Sequence, residues 1–149
     1  MNQKLTLGSK FKYGLADMGF ALITSAMQFF LLFYYTDVAG INPALAGSAL
    51  MVGKLTWDAI NDPLFGYLSD RTRSRFGRRR VYMLLGAVPL GIAAWVMFSL
   101  PQGLTGVPAF LAVLLSFWLV DTFHTITTTP YYALTPELTR DYNERASLT

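Results

Sequence analysis

The chain has 149 residues, of which 53% are hydrophobic and only 14% charged, where a soluble domain carries about 25% charged residues. That composition excludes an ordinary soluble globule and indicates an all-α membrane protein, while the absence of cysteine excludes disulfide frameworks and thiolate sites. The net charge is only +3, and its information lies in where the charges fall.

Lys4, Lys10 and Lys12 precede a first apolar segment, 14–35. At about 22 residues it is long enough to cross a bilayer core, which takes about 20. A secretory leader would end in a small-residue cleavage site, and TDVAG is not one, so the segment is predicted to stay as a helix. Asp17 lies one turn inside it, placed either to anchor the interface or to pair with Lys10 or Lys12. The connector TDVAGIN (36–42) has no basic residue, and Asn42-Pro43 opens a second segment, 44–68. This one holds Lys54, Asp58, Asn61, Asp62 and Pro63. Six arginines then fall between Arg71 and Arg80 in a loop, 69–80. A third segment, 81–100, ends at Pro101, and the connector PQGLTG (101–106) is again free of Lys and Arg. The fourth segment, 107–132, contains Asp121, His124, five threonines and Pro130, and a polar tail, 133–149, follows with Arg140 and Arg145.

Lipid leaves each backbone group to be satisfied within its own segment, so four transmembrane helices are predicted. Pro63 leaves the Ala59 carbonyl without its helical partner and Pro130 does the same to Ile126, which predicts kinks. The basic residues put the N-terminus, the 69–80 loop and the tail on the cytoplasmic side. A basic loop between two spans sets topology, and nucleic-acid binding is not expected of it. No GxSxG, HExxH or P-loop pattern is present, and His124 has no metal-ligand partner at useful spacing, so neither an enzyme nor a bound cofactor is expected.

The second segment is chemically the most unusual. Each ionised side chain at mid-membrane costs about 2.5–3.5 kcal/mol, so Lys54, Asp58 and Asp62 facing lipid together would cost on the order of 8–10 kcal/mol. Helical geometry sets Asp58 and Asp62 about 40° apart and ~6 Å along the axis, with Asn61 beside them. One account is a structural ion pair between Lys54 and Asp58, which leaves Asp62 unpaired. The other is a cation site, its hard oxygens suited to Na⁺ or its carboxylate pair to a shared proton.

Three stretches, YYTDVAG (34–40), WDAINDPLFGYLSDRTRSRFGRRR (57–80) and PYYALTPELTRDYNER (130–145), strongly resemble the glycoside–pentoside–hexuronide:cation symporters. These are the melibiose-permease-like branch of the major facilitator superfamily. The resemblance runs over nearly the whole chain and implies the first four helices of a twelve-helix fold, the first third of a longer protein. It implies that Asp58, Asn61 and Asp62 bind the coupling cation, Na⁺ or H⁺, with help from Thr125. The family's sugar-gripping positions fall at Ala21, His124, Thr128 and Tyr132, so both of its sugar-binding acids are missing here. Asp121 shares a helix face with His124 and is a candidate for the solute side, as is Asp17; a satisfied interhelical hydrogen bond is the alternative for the Asp121–His124 pair. Gly66, Asp70, Arg71, Gly77, Arg78 and Arg79 match the superfamily's loop motif, which implies a conformational latch.

The function expected is symport of a small polar solute, a sugar or glycoside, with a cation across a bacterial cytoplasmic membrane. Its partners would be the solute, the ion, the bilayer and the rest of the same protein. A four-helix scaffold with structural ion pairs, or a lysolipid carrier of the same superfamily, are the alternatives.

Overall fold

The computed structural model describes residues 7–72 and 80–138, and these residues are helical almost throughout. Helix α1 spans Leu7–Phe33, α2 Pro43–Arg71, α3 Arg80–Met97 and α4 Gly106–Leu138. A π-helical stretch, Tyr34–Val38, closes α1. Pro63 and Pro130 both sit within continuous helix.

The helix ends follow from local chemistry. The Asn42 side chain accepts from the Ala44 amide at 2.9 Å, and Pro43 starts α2 where a missing N–H costs nothing. Gly40 and Gly103 adopt φ of 71° and 80°, left-handed values that a side chain resists. The two turns they form are joined by Gly103 N donating to Ala39 O at 3.3 Å.

Helix α4 packs along both α2 and α3. Small residues on α2 permit the close approach: Ala46 and Ala49 are fully buried, and a Cβ at Gly53 would lie 2.9 Å from Phe117 Cδ1. The apolar core gathers where α1 and α3 end and α2 and α4 begin, around Tyr35, Ile41, Met97, Val113 and Phe117. Tyr35 fits this core because its hydroxyl pairs with Ser116 Oγ at 3.0 Å. The other half of the bundle is polar inside, with Asn61, Thr125, Thr127 and Thr128 buried.

The outside is apolar. Phe11, Leu15, Met18, Phe29 and Phe30 of α1 and Leu84, Leu85, Val88 and Trp95 of α3 are all exposed. A soluble monomer does not present so much continuous apolar surface. Lys10–Val38 and Gly106–Ala133, with hydropathies of 1.6 and 1.8, are long and apolar enough to cross a membrane, and Val81–Met97 is a shorter apolar helix. Helix α2 is long but is diluted by Lys54, Asp58 and Asp62. An apolar groove of about 350 Å³ separates α1 from α3, lined by Gly19, Ile23, Met83, Ala87 and Leu90 among others.

Candidate functional site

Helices α2 and α4 run parallel, and their facing stripes meet at a nearly constant offset. Gly53, Trp57 and Asn61 recur every fourth residue on α2, and Trp118, Asp121, Thr122 and Thr125 share one face of α4. Trp118 Nε1 donates to Gly53 O at 3.3 Å. One turn on, the Trp57 and Trp118 rings stack at 4.8 Å, and Trp57 Nε1 donates to Thr122 Oγ1 at 2.8 Å. Next come Asn61 Nδ2, donating to Asp121 Oδ2 at 2.9 Å, and Thr125 Oγ1, donating to Asp62 Oδ1 at 3.2 Å.

The four residues expected at the cation site therefore occupy one junction, though in unequal surroundings. Asn61 is 2% exposed and Thr125 5%, Asp58 is half-buried and Asp62 exposed. Asp58 Oδ1 and Asn61 Oδ1 are buried and take no hydrogen bond among the described residues. Buried polar atoms are nearly always satisfied, so two free oxygens three residues apart on α2 are suited to an electropositive guest. Lys54, the partner in the ion-pair account, is exposed and leaves that Asp58 oxygen without a hydrogen bond. Among the described residues no three His, Cys, Asp or Glu side chains form a metal-ion group. The donor set is instead two carboxylates, an amide and a hydroxyl, all hard oxygens, which fits an alkali cation better than a transition metal.

The residues expected on the solute side divide into layers. Thr24 Oγ1 of α1 lies 3.3 Å from His124 Nε2, and Phe20 meets the same ring edge-on at 6.1 Å. Thr128 is buried and spends its hydroxyl on His124 O, at 2.8 Å. Seven residues before Thr24, or ~10 Å along a helix, Asp17 faces Tyr132, whose side chain is exposed. Beside them Tyr13 stacks on Tyr131 at 4.4 Å, and the Tyr131 hydroxyl donates to Tyr13 O at 2.7 Å. Asp121 belongs to neither layer, being bound to Asn61 on the cation side. Spacing alone does not single out Trp57, Trp118 or Thr24, whereas Thr122 belongs to the hydroxyl-rich run expected to join the helices and does so. Trp57 had a signal, its place next to Asp58 on the same turn; Thr24 had none.

In the loop motif, Arg71 Nη1 donates to Tyr67 OH, and its guanidinium lies 5.5 Å from the centre of that ring. Thr72 Oγ1 pairs with Tyr82 OH at 2.6 Å, joining the end of α2 to the start of α3. Gly66 is helical. Gly77, Arg78 and Arg79 lie outside the described residues, as does the Asp70 side chain.

Residues 12–149 match the family model described as MFS/sugar transport protein. A symporter of Synechocystis sp. is 46% identical over 151 residues, covering 98% of this chain and 28% of that protein. The isoprimeverose transporter of Lactiplantibacillus pentosus is 32% identical over 139 residues, covering 93% of this chain and 29% of its own. Sodium-dependent lysophosphatidylcholine symporter 1 of Mus musculus is 34% identical over 152 residues, covering 99% and 28%. The chain thus spans about three tenths of the length of these curated relatives. With a match over nearly its full length and the acid-bearing second helix in place, the chain belongs to the MFS/sugar transport family of integral membrane proteins, in the branch named glycoside–pentoside–hexuronide:cation symporters that its motifs resemble.

Proposed function

We propose that these residues are part of a symporter that couples uptake of a small polar solute, a sugar or glycoside, to entry of Na⁺ or H⁺ by alternating access. Asp58, Asn61, Asp62 and Thr125 hold the coupling cation. The observation that carries this reading is the pair of buried, unpartnered oxygens, Asp58 Oδ1 and Asn61 Oδ1, beside the Asp62–Thr125 contact. His124 with Thr24, and Tyr132 with Asp17, offer donors and acceptors to the solute in two layers along α1 and α4, and Thr128, its hydroxyl on His124 O, supports the His124 layer. Gly66, Asp70, Arg71, Gly77, Arg78 and Arg79 form the latch that steadies one conformation. The N-terminus and the arginine loop face the cytoplasm, by the placement of the basic residues, and the membrane is a bacterial inner membrane, by likeness to the bacterial relatives.

A scaffold with structural ion pairs is disfavoured, because Asp58 keeps an oxygen buried and, among the described residues, without a hydrogen bond. A lysolipid substrate is the second reading, favoured by the apolar groove between α1 and α3, which suits an acyl chain, and by the name of the mouse relative.

The test uses the full gene product that carries these residues, in cells or proteoliposomes. Asp58→Asn and Asp62→Asn each remove a charged oxygen and should abolish cation-driven accumulation of solute. A panel of labelled glycosides and lysophospholipids decides the substrate class. Accumulation against a gradient at the normal rate in both variants would end the cation-site reading.

A further inference from the structure

Asp121 lies outside the four residues assigned to the cation, yet it holds one of them. Asn61 Nδ2 donates to Asp121 Oδ2 at 2.9 Å. A planar amide whose nitrogen is held on one side presents its oxygen on the other, and Asn61 Oδ1 is buried with no partner among the described residues. Flipping the amide would set Oδ1 against the Asp121 carboxylate, acceptor against acceptor, and turn the N–H₂ toward the position of the cation. At 2% exposure there is little room for water to compensate. The support is rigid, because the next residue, Thr122, accepts from Trp57 Nε1 at 2.8 Å and donates to Trp118 O at 2.7 Å.

We infer that Asp121 is a positioning residue of the cation site, which holds the Asn61 amide by its nitrogen so that Oδ1 faces the ion. The inference rests on the reading that Asp58, Asn61, Asp62 and Thr125 take the coupling cation. Asp121 is not itself a ligand in this account, and no third carboxylate closes a metal-ion group with Asp58 and Asp62 among the described residues. What it supplies is an acceptor rather than a charge.

The distinction is testable by binding alone, without solute or transport. The purified full gene product is titrated with Na⁺ and Li⁺, following thermal stabilisation in detergent and retention of radioactive Na⁺. Asp121→Ala should raise the half-saturating Na⁺ concentration by about 10-fold or more, the usual scale for losing an outer-shell partner. Asp121→Asn keeps an acceptor oxygen for Asn61 Nδ2 and should stay within about 3-fold of the wild type, well short of the outer-shell loss. On an Asn61→Ala background, Asp121→Ala should add no further loss. A wild type that responds to neither Na⁺ nor Li⁺ would overturn this inference, because a proton held by the carboxylates needs no amide oxygen, while the cation-site reading would stand or fall on accumulation by Asp58→Asn and Asp62→Asn. A responsive wild type with Asp121→Ala unchanged would overturn this inference alone. So would Asp121→Asn losing as much as Asp121→Ala, because charge would then be what matters. If Asp121→Ala does not fold, the Asp121→Asn titration decides: near-normal Na⁺ affinity supports the inference and a 10-fold loss refutes it.

Discussion

Gly86→Ala probes the contact between α3 and α4. A Cβ built at Gly86 would lie 2.5 Å from Thr127 Oγ1 and 3.1 Å from Ile126 Cγ2, where ordinary contact begins at 3.4 Å. The Thr127 hydroxyl cannot simply rotate away, because it donates to Phe123 O at 2.6 Å and its residue is 3% exposed. Either that bond breaks or the helices separate by ~1 Å. Overpacking of this kind costs about 1–3 kcal/mol, and a lost hydrogen bond adds about 1. Alanine returns about 1 kcal/mol through better helix propensity, so the net loss should be about 1–3 kcal/mol. The assay is thermal melting of the purified full gene product in detergent, with Gly47→Ala as the control. Nothing lies within 4 Å of a Cβ at Gly47, so that variant should melt at or above the wild type. Thr127→Ala removes the clashing oxygen. Combined with Gly86→Ala it should recover most of the loss, a coupling of about 0.5–3 kcal/mol. If Gly86→Ala melts with the control, or the double variant is worse than both singles added, the close approach of α3 to α4 at this point is wrong.

Asn42→Ala removes the side chain that caps α2 and should lower stability by about 1 kcal/mol in the same melting assay, whereas Asn42→Asp should keep most of it. Single cysteines at the exposed Asp37 and Gln102 should react with an impermeant reagent from outside intact cells, and one at Ser74 only after the membrane is opened; labelling of Ser74 in intact cells would invert the orientation.

Much of the second helix was legible from spacing alone, because 100° per residue puts Asp58, Asn61 and Asp62 on one side of any straight helix. What spacing cannot give is the neighbour. The arithmetic treats the three residues alike, whereas Asn61 is buried against α4 and Asp62 is exposed, a difference set by how α4 lies in the groove of α2. Asp121 read as a companion of His124 because both share a face, but the wide face of a long helix touches two neighbours, and Asp121 turns to α2 while His124 turns to α1. The start of α1 shows a second limit. Apolar length measures hydrocarbon, so it marks the segment from residue 14, whereas the chain is already helical at Leu7, the first described residue, and carries Lys10 and Lys12 on the helix. Nothing in the composition of Tyr34–Val38 marks its π-winding, and Tyr35 within it is buried with its hydroxyl on Ser116 of the distant α4.

The long sequence separation of the contacts on α4 has a consequence for biogenesis. Asn61 and Asp121 are 60 residues apart, Thr24 and His124 are 100, and Tyr13 and Tyr131 are 118. At about 5–20 residues per second, the ribosome delivers the partner of Asn61 ~3–12 s after Asn61 itself. For that interval α1 and α2 must persist without the helix that completes them. The first helix is apolar enough to wait in lipid, since Lys10–Val38 is long and apolar enough to cross a membrane. Helix α2, with Lys54, Asp58, Asn61 and Asp62, is not, and is best sheltered by the insertion machinery until α4 arrives. The polar residues proposed to hold the coupling ion also make the second helix the one most exposed to quality control during synthesis.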